Sequence, residues 1–306
     1  MTPAGRFAPS PSGELHVGNL RTAVLAWLFA RSTGRDFLLR VEDLDRARAG
    51  AEAEQLRDLA AIGVTWDGAV VHQTDRGELY RDAIQQLTSA GLTYECFCTR
   101  REIQEAPSAP HAPQGAYPGT CRNLDPAELE VKRSLRPAAI RLRAGVGEYT
   151  VNDVLHGDFT GVVDDFVLRR NDGVTAYNLA VVVDDAAQGI DQVVRGDDLL
   201  PSTPRQAYLA SLLHIPVPEY AHVPLVVNSD GARLAKRDGA VTLGDLSRAG
   251  VAAAEVRDLI LRSLGLPAGT LEQALSGFTP GSLPREPWVW RGVGVERGSQ
   301  GGRSGA

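Results

Sequence analysis

One stretch near the start of the chain, residues 5–19 with the sequence GRFAPSPSGELHVGN, restricts the possible folds more than any other. Residues 6–8 predict a short buried strand, and Pro9, Pro11 and Gly13 end it. Residues 15–29 then place apolar side chains at helical spacing. The N-terminus of such a helix points its free backbone N–H groups and the positive end of its dipole above the sheet, and these favour the binding of phosphate. His16, in the predicted first turn, can donate a hydrogen bond to a phosphoryl oxygen. An ordinary surface turn with an exposed histidine is the alternative interpretation.

The composition restricts the classes of function. The 306 residues, 43% of them hydrophobic, suffice for about two domains with a substantial core. The net charge of −6 excludes a globally basic nucleic-acid coat, so any contact with RNA requires a local patch. Three cysteines, no signal peptide and no apolar run of membrane length predict a cytoplasmic protein in a reducing environment. There are two lysines, Lys132 and Lys236, which marks each as a specifically placed residue.

A second predicted strand, Asp36–Val41, is followed directly by the acidic run EDLD at 42–45. Carboxylates just past the C-terminal end of a parallel strand lie where open α/β sheets bind ligands. An acidic cluster at a helix N-terminus would explain the same residues without a ligand. Residues 51–62 and 77–90 follow as amphipathic helices, the second with Gly91 as its C-cap.

All three cysteines, Cys96, Cys98 and Cys121, fall within one turn-rich stretch. This stretch has too few apolar residues to form a core of its own, and thiolates in such a loop are a usual source of structural zinc ligands. Zinc requires four tetrahedral ligands, and the chemistry of the residues alone nominates His111 as the fourth. Reduced thiols in a flexible insertion are the alternative.

The second half of the chain predicts further elements. In chain order these are a helix over 125–135, a strand over 139–144, a hairpin turn at 171–173, a strand over 192–195, a helix from Ser202, a strand over 223–227 and helices over 243–249 and 252–264. The apolar run 176–185 is a buried strand or a helix, because periodicity does not decide between them. Beyond Leu275 the composition of Gly, Pro, Arg and Ser predicts disorder.

Three residues of this half are candidates for chemistry. Arg195 at a strand end can bind a carboxylate through two hydrogen bonds, and a salt bridge to Asp197 or Asp198 is its alternative role. Tyr177 is a ligand contact or a packed core residue. Lys236 lies in a basic loop and can neutralise charge on a phosphoryl group, or it is a solvated surface charge.

Four blocks of this sequence resemble the class I aminoacyl-tRNA synthetases, and in particular glutamyl-tRNA synthetase and its shortened relatives. The run PSPSGELHVGN is similar to the first class signature, with HVGN where that signature has HIGH. The run RLAKR at 233–237 is similar to the second signature, KMSKS. The runs AYNLAVVVDD and VVRGDDLLPSTPRQ match the family's two central blocks, and all four follow the family order within residues 5–265.

The resemblance implies an α/β fold, a Rossmann-like doubly wound parallel sheet with an inserted zinc-containing subdomain and a C-terminal helical region. The first half of the nucleotide-binding catalytic domain is expected over residues 1–95 and a zinc-binding insertion over 96–125. An acceptor-type insertion and the second half of the catalytic domain are expected over 126–215. A lysine-loop and helical stem region over 216–275 and a disordered tail over 276–306 complete the expected organisation.

The resemblance also implies roles for individual residues. It assigns ATP, with Mg²⁺, to His16, Gly18, Asn19 and Lys236, of which His16 and Lys236 are the catalytic pair. It assigns glutamate to Arg6, Ser10, Glu42, Tyr177 and Arg195. The shortened relatives have Cys-x-Cys followed by Tyr-x-x-x-Cys, so Tyr117 is expected as the fourth zinc ligand with Cys96, Cys98 and Cys121, and His111 is its rival.

The implied function is ATP-dependent activation of glutamate, followed by transfer of the glutamyl group to queuosine in the anticodon of tRNA(Asp). A complete glutamyl-tRNA synthetase continues into a helical anticodon-binding region, which this chain is not expected to contain. A truncated synthetase that charges tRNA(Glu), a nucleotidyltransferase of related fold and a non-catalytic RNA-binding paralogue are the alternatives. The protein is expected to act as a monomer without a membrane partner.

Overall fold

The computed structural model describes residues 2–105, 117–234 and 241–292. Its strands are β1 (Ala4–Phe7), β2 (Asp36–Val41), β3 (Val71–His72), β4 (Thr93–Cys96), β5 (Ala139–Leu142), β6 (Glu148–Asp153), β7 (Gly157–Val162), β8 (Val167–Arg169), β9 (Ile190–Gly196), β10 (Glu219–Val223), β11 (Val226–Val227) and β12 (Trp288–Val289). Its helices are α1 (Val17–Ser32), α2 (Ala51–Ala61), α3 (Gly77–Ser89), α4 (Arg100–Glu105), α5 (Pro126–Leu135), α6 (Tyr177–Ala187), α7 (Thr203–Leu212), α8 (Leu243–Arg248), α9 (Ala253–Ser263) and α10 (Leu271–Leu275). None of the helices in these ranges has the length and apolarity needed to span a bilayer.

A seven-stranded sheet forms the centre of the fold, with the strand order β3-β2-β1-β9-β10-β6-β7. Every neighbouring pair is parallel except β6 and β7, which form an antiparallel hairpin. The chain builds outward from β1 to β3, and then returns to place β9 and β10 on the other side of β1. The strand order therefore reverses between β1 and β9, where doubly wound sheets form a ligand crevice at the carboxyl ends of their strands.

The predicted strand–loop–helix at the start of the chain is confirmed as β1 and α1. Helix α1 is apolar around most of its circumference because it lies between the sheet and the C-terminal helices. Its close approach to β1 requires a glycine: a Cβ at Gly5 would lie 2.9 Å from the Cβ of Ala30. His16 is the N-cap of α1 and thus precedes its first turn.

The two faces of the sheet carry separate hydrophobic clusters. On one face Phe37 and Leu39 pack with α1, and α9 and α10 belong to the same cluster. Leu38, which alternates with them along β2, packs in a separate cluster with Ala4 and Ile190. Helices α3, α6 and α7 form a third cluster together with Leu142 of β5 and Leu168 of β8. The strand order and these helix layers confirm the predicted α/β fold with a doubly wound, mostly parallel sheet.

A small antiparallel sheet of strand order β4-β5-β8 carries the cysteine-containing segment. Cys96 ends β4, and its neighbours in a compact buried cluster are Phe97, Tyr117 and Cys121. The helix predicted over 125–135 is present as α5, with Asp125 as a side-chain N-cap that accepts from the amide of Glu128 at 2.8 Å.

The structure decides one open prediction and contradicts another. The ambiguous run 176–185 is the first part of helix α6, which buries Leu179, Ala180 and Val181. The single strand predicted over 223–227 is wrong, because the structure has two strands, β10 and β11, with Pro224 and Leu225 between them. Proline has no backbone N–H to donate to a neighbouring strand. The carbonyl of Pro224 accepts a hydrogen bond from a side chain, Nη1 of Arg21, at 2.6 Å.

Disorder over the whole of 276–306 is also a wrong prediction, since residues 276–292 are folded. Strand β12 pairs in parallel with β11, and the amide of Trp290 donates to the carbonyl of Val227 at 2.8 Å. Trp290 is buried and contacts Trp288 edge to face, with ring centroids 5.3 Å apart. Two indole rings therefore anchor a segment whose remaining composition is typical of disorder.

Candidate active site

A cavity of about 510 Å³ opens at the carboxyl ends of β1 and β9, at the point where the strand order reverses. Eight residues predicted to bind ATP or glutamate line it: Arg6, Ser10, His16, Gly18, Asn19, Glu42, Tyr177 and Arg195. They come from β1 and the loop after it, the start of α1, the residue that follows β2, the start of α6 and the end of β9. The fold therefore brings all of the predicted ATP- and glutamate-binding residues in its described ranges into one site.

The start of α1 forms one end of this cavity. Nδ1 of His16 accepts from the amide of Asn19 at 3.3 Å, and Oδ1 of Asn19 accepts from the amide of His16 at 3.2 Å. Because Nδ1 is an acceptor, the neutral ring carries its hydrogen on Nε2. A Cβ at Gly18 would lie 2.9 Å from Cε1 of His16, so only glycine leaves room for the ring.

Buried charges beneath the cavity hold three elements together. Arg40 of β2 has no exposed surface, and its Nη1 donates to Oδ1 of Asp185 at 2.7 Å. Arg6 of β1 approaches the same carboxylate, with 3.3 Å between Nε and Oδ1. Burial alone would raise the pKa of Asp185, but Arg6 and Arg40 outweigh it and hold the pKa below its ordinary value. Asp185 is therefore an ionised link between α6 and the two central strands.

Glu42 lies at the edge of this charge network. Its Oε1 is 3.4 Å from Nη2 of Arg40, and its side chain is 11% exposed. Burial raises the pKa of Glu42, and the positive charges of Arg40 and Arg6 oppose this shift. The same network continues to Asp184, which accepts from Nε of Arg76 at 2.5 Å.

Arg195 occupies the opposite side of the cavity and is 5% exposed. Its Nε donates to Nε2 of His222 at 3.0 Å, and its Nη2 donates to Oγ1 of Thr203 at 2.8 Å. Its Nη1 lies 3.4 Å from the hydroxyl of Tyr177. Within the described part of the chain neither Asp197 nor Asp198 forms a salt bridge with Arg195, and Asp198 pairs with Arg233 at 2.5 Å.

Among the described residues no carboxylate pairs with Arg195, whereas Arg6, Arg40 and Arg76 all have carboxylate partners. A buried cation without an anion is unfavourable in the absence of ligand, and it favours a ligand that supplies a negative charge. The cavity is therefore suited to an anionic group at Arg195.

Sequence reasoning missed several residues that shape this site. Gln55 of α2 is 3% exposed, and its Nε2 donates to the carbonyls of Ser10 and Gly13 at 3.0 and 2.7 Å. It thereby fixes the loop that carries Ser10. Arg40 had a detectable signal, a charged residue inside an otherwise apolar strand. Gln55, His222 and Asp153 had none, because only the tertiary fold brings them to the site.

Two candidate residues, Lys236 and His111, lie outside the described residues. Lys236 belongs to the segment 235–240, and described residues on both sides of this segment contact the residues around the cavity. Arg233 pairs with Asp198, and the carbonyl of Val241 accepts from the amide of Val17 at 2.8 Å. Arg233 therefore lines the cavity, and Val241 contacts the start of α1.

The cysteine cluster forms a second candidate site. The three Sγ atoms lie within 4.8 Å of one another and can hold a metal ion. Sγ of Cys98 is 3.5 Å from Sγ of Cys121, and the hydroxyl of Tyr117 is 3.3 Å from Sγ of Cys96. Tetrahedral zinc with bonds of about 2.3 Å to sulfur separates its sulfur ligands by roughly 3.8 Å, so this spacing suits such an ion. The guanidinium of Arg141 stacks on the ring of Tyr117, 3.7 Å from its centroid.

Comparisons with known proteins agree with this geometry. Residues 4–276 match the family described as tRNA synthetases class I (E and Q), catalytic domain. The chain belongs to this family. Its members are synthetases, and this chain is a ligase of that type.

Named relatives share most of the chain. A Nocardia farcinica protein named glutamyl-Q tRNA(Asp) synthetase is 64% identical over 298 residues, which are 97% of this chain and 96% of that protein. A Cutibacterium acnes protein of the same name is 53% identical over 270 residues, 86% of this chain and 76% of that protein. The solved glutamate-tRNA synthetase of Elizabethkingia anophelis superposes with a TM-score of 0.79 at 27% identity, covering 95% of this chain and 68% of that one.

His16 should remain neutral throughout the physiological range. Burial lowers its pKa to about 4, and the positive charge of Arg233 adds to the shift. We expect the C2 proton of His16 to titrate with a midpoint near 4 in an NMR pH titration, well below the ordinary value of about 6.5. Its resonance is identified among those of the six histidines by its loss in the His16→Gln protein. A midpoint near 6.5 would contradict the buried, neutral ring.

Proposed function

We propose that this chain activates glutamate with ATP and transfers the glutamyl group to queuosine in the anticodon of tRNA(Asp). The observation that carries this proposal is that eight expected ATP- and glutamate-binding residues line the same cavity. The acceptor is proposed from the relatives, since the two most similar ones described above are named glutamyl-Q tRNA(Asp) synthetase.

In the first step the α-carboxylate of glutamate attacks the α-phosphorus of ATP in line, and pyrophosphate leaves. The protein contributes mainly position and charge to such a transfer. Nε2–H of His16 donates to a phosphate oxygen, and the N-terminus of α1 beside Gly18 and Asn19 adds its dipole. Lys236 supplies a positive charge to the triphosphate. Mg²⁺ bound with ATP would neutralise further phosphate charge.

The residues on the other side of the cavity bind glutamate. Arg195 takes the side-chain carboxylate, with the hydroxyl of Tyr177 beside it. Glu42 faces the α-amino group, and its partial burial strengthens that charge pairing. Arg6 and Ser10 hold the remainder of the substrate. In the second step a hydroxyl of the cyclopentene ring of queuosine attacks the carbonyl carbon of the adenylate, and AMP leaves.

A structural zinc ion is proposed for the cysteine cluster, with Tyr117 as the fourth ligand of Cys96, Cys98 and Cys121. The Tyr117 hydroxyl supports this set because it lies 3.3 Å from one of the sulfur atoms and 3.6 Å from another. The ion would join the end of β4 to the turn at 117–121 and would take no part in the reaction.

The adenylate step is tested by glutamate-dependent exchange of labelled pyrophosphate into ATP. Lys236→Ala should slow this exchange by roughly 10²–10³, the usual effect of removing a group that stabilises transition-state charge. Lys132→Ala is the matched control, because it removes the only other lysine, on the outer helix α5, and should leave the rate unchanged. Undiminished exchange in the Lys236→Ala protein would exclude Lys236 from the mechanism.

The acceptor is tested by transfer of labelled glutamate to purified tRNAs. We expect label on tRNA(Asp) that contains queuosine, and none on a tRNA(Asp) transcript without it or on tRNA(Glu). A queuosine-containing tRNA(Asp) that lacks its 3′-terminal adenosine should still be labelled, because the proposed acceptor lies in the anticodon. Label confined to an intact 3′ end of tRNA(Glu) would instead make the protein a glutamyl-tRNA synthetase.

The metal site is tested by zinc content and by competition with a chelator. Cys121→Ser should lose the bound zinc, and Tyr117→Phe should release it at a lower chelator concentration than the unmodified protein does. His111→Ala is the control and should bind zinc normally. If His111→Ala loses zinc while Tyr117→Phe keeps it, the fourth ligand is His111. A purified protein without any zinc would refute the site.

A further inference from the structure

A line of buried polar side chains runs behind Arg195, away from the cavity. It consists of His222 on β10 and Asp153 at the end of β6, which are 0% and 2% exposed. The parallel pairing of β9 with β10 sets His222 directly opposite Arg195, and that of β10 with β6 brings Asp153 next to them. Neighbouring strands of the sheet therefore hold these three residues in a fixed order.

Asp153 determines how the ring of His222 is protonated. One carboxylate oxygen accepts from the amides of Leu155 and His156 at 2.9 and 3.0 Å. The other faces the amide of His222 at 3.0 Å and its Nδ1 at 2.6 Å. A carboxylate surrounded by three backbone donors is an ionised acceptor, so Nδ1 of His222 must be the fourth donor. Burial would raise the pKa of Asp153, but these hydrogen bonds outweigh it and hold the pKa below its ordinary value.

The other ring nitrogen of His222 must be an acceptor. Nε2 lies 3.0 Å from Nε of Arg195, and a guanidinium can only donate. The ring is thus neutral, with its hydrogen on Nδ1. Burial lowers the pKa of His222, the contact with Asp153 opposes this, and the charge of Arg195 adds to the lowering.

Thr203 completes the contacts on this edge of the guanidinium. Its Oγ1 accepts from Nη2 of Arg195 at 2.8 Å and lies 3.0 Å from Nε2 of His222. His222 and Thr203 thereby occupy the edge formed by Nε and Nη2. The edge formed by Nη1 and Nη2 is left to receive a carboxylate through two parallel hydrogen bonds.

We propose that His222, oriented by Asp153, acts with Thr203 to position the guanidinium of Arg195 for the side-chain carboxylate of the substrate. This role rests on the proposed function, in which Arg195 binds that carboxylate. An arginine side chain has several rotatable bonds, so fixing it before binding removes an ordering cost that would otherwise weaken glutamate binding. His222 and Asp153 touch no substrate, and they act only through Arg195.

Two substitutions at His222 separate this role from general packing. In His222→Gln the amide oxygen can reach about the position of Nε2 and can still accept from Arg195. In His222→Asn the shorter amide can meet Asp153 but leaves Nε of Arg195 without its acceptor. We expect His222→Asn to raise KM for glutamate roughly ten- to a hundredfold in the exchange assay, as for a lost hydrogen bond to a charged group. KM for ATP should stay within about twofold, and His222→Gln should recover most of the affinity for glutamate.

A merely structural role would change other quantities. Equal losses in both variants, or parallel changes in KM for ATP and in the thermal midpoint, would overturn the proposal. So would an unchanged KM for glutamate in an active His222→Asn enzyme. Absence of glutamate-dependent exchange in the unmodified protein would instead overturn the proposed function, and this role with it.

A second pair of variants applies if the His222 proteins do not fold. Thr203→Val removes the acceptor for Nη2 at similar volume, and Thr203→Ser keeps it. KM for glutamate should rise in Thr203→Val and stay near normal in Thr203→Ser, while equal values in the two would contradict the proposal. In the unmodified protein, ¹⁵N shifts at neutral pH should report His222 with hydrogen on Nδ1, and hydrogen on Nε2 would contradict it.

Discussion

Burial of the Arg40 guanidinium is the constraint on which the rest of the site depends. A cation with no exposed surface must be matched by anions, and Asp185 and Glu42 lie 2.7 and 3.4 Å from it. Asp185 belongs to α6, so this pairing fixes α6 against β2. Because Asp185 also pairs with Arg6 of β1, the two strands and the helix are held in one arrangement. Tyr177, the first residue of α6, owes its place in the cavity to this arrangement.

Two partly or fully buried histidines contribute to the cavity through opposite tautomers. Nδ1 of His16 accepts from a backbone amide, so Nε2 carries the hydrogen and is a donor. Nδ1 of His222 donates to Asp153, so Nε2 is an acceptor for Arg195. The tautomer is set in each case by the group that faces Nδ1, a backbone N–H for His16 and a carboxylate for His222. Burial lowers the pKa of both rings, and this keeps each in its neutral form.

Local patterns predicted most of the fold, and the resemblance to class I synthetases predicted the residues that line the cavity. The strand, loop and helix around His16 follow from nearby prolines, glycines and apolar spacing, and Asp36–Val41 is a strand with the predicted bounds. The partners of Arg195 were not predictable, because His222 and Thr203 reach it only through strand pairing and the start of α7. The folded segment 276–292 was missed because its average composition obscured Trp288 and Trp290, whose burial outweighs the many polar residues around them. Both the contacts of Arg195 and the folding of 276–292 depend on tertiary contacts, which a short window of sequence does not contain.

The balance of charge around the cavity gives a physical reason for selecting glutamate over glutamine in the proposed reaction. Beneath the cavity Arg6, Arg40 and Arg76 are matched by Glu42, Asp184 and Asp185. Among the described residues this leaves Arg195 without an ion pair, since its side-chain hydrogen bonds go to the neutral groups of His222, Thr203 and Tyr177. A glutamate side chain supplies the missing negative charge, whereas the amide of glutamine would leave a buried cation uncompensated. Loss of that charge-assisted pair costs roughly 1.5–3 kcal/mol, which corresponds to a preference for glutamate of about ten- to more than a hundredfold.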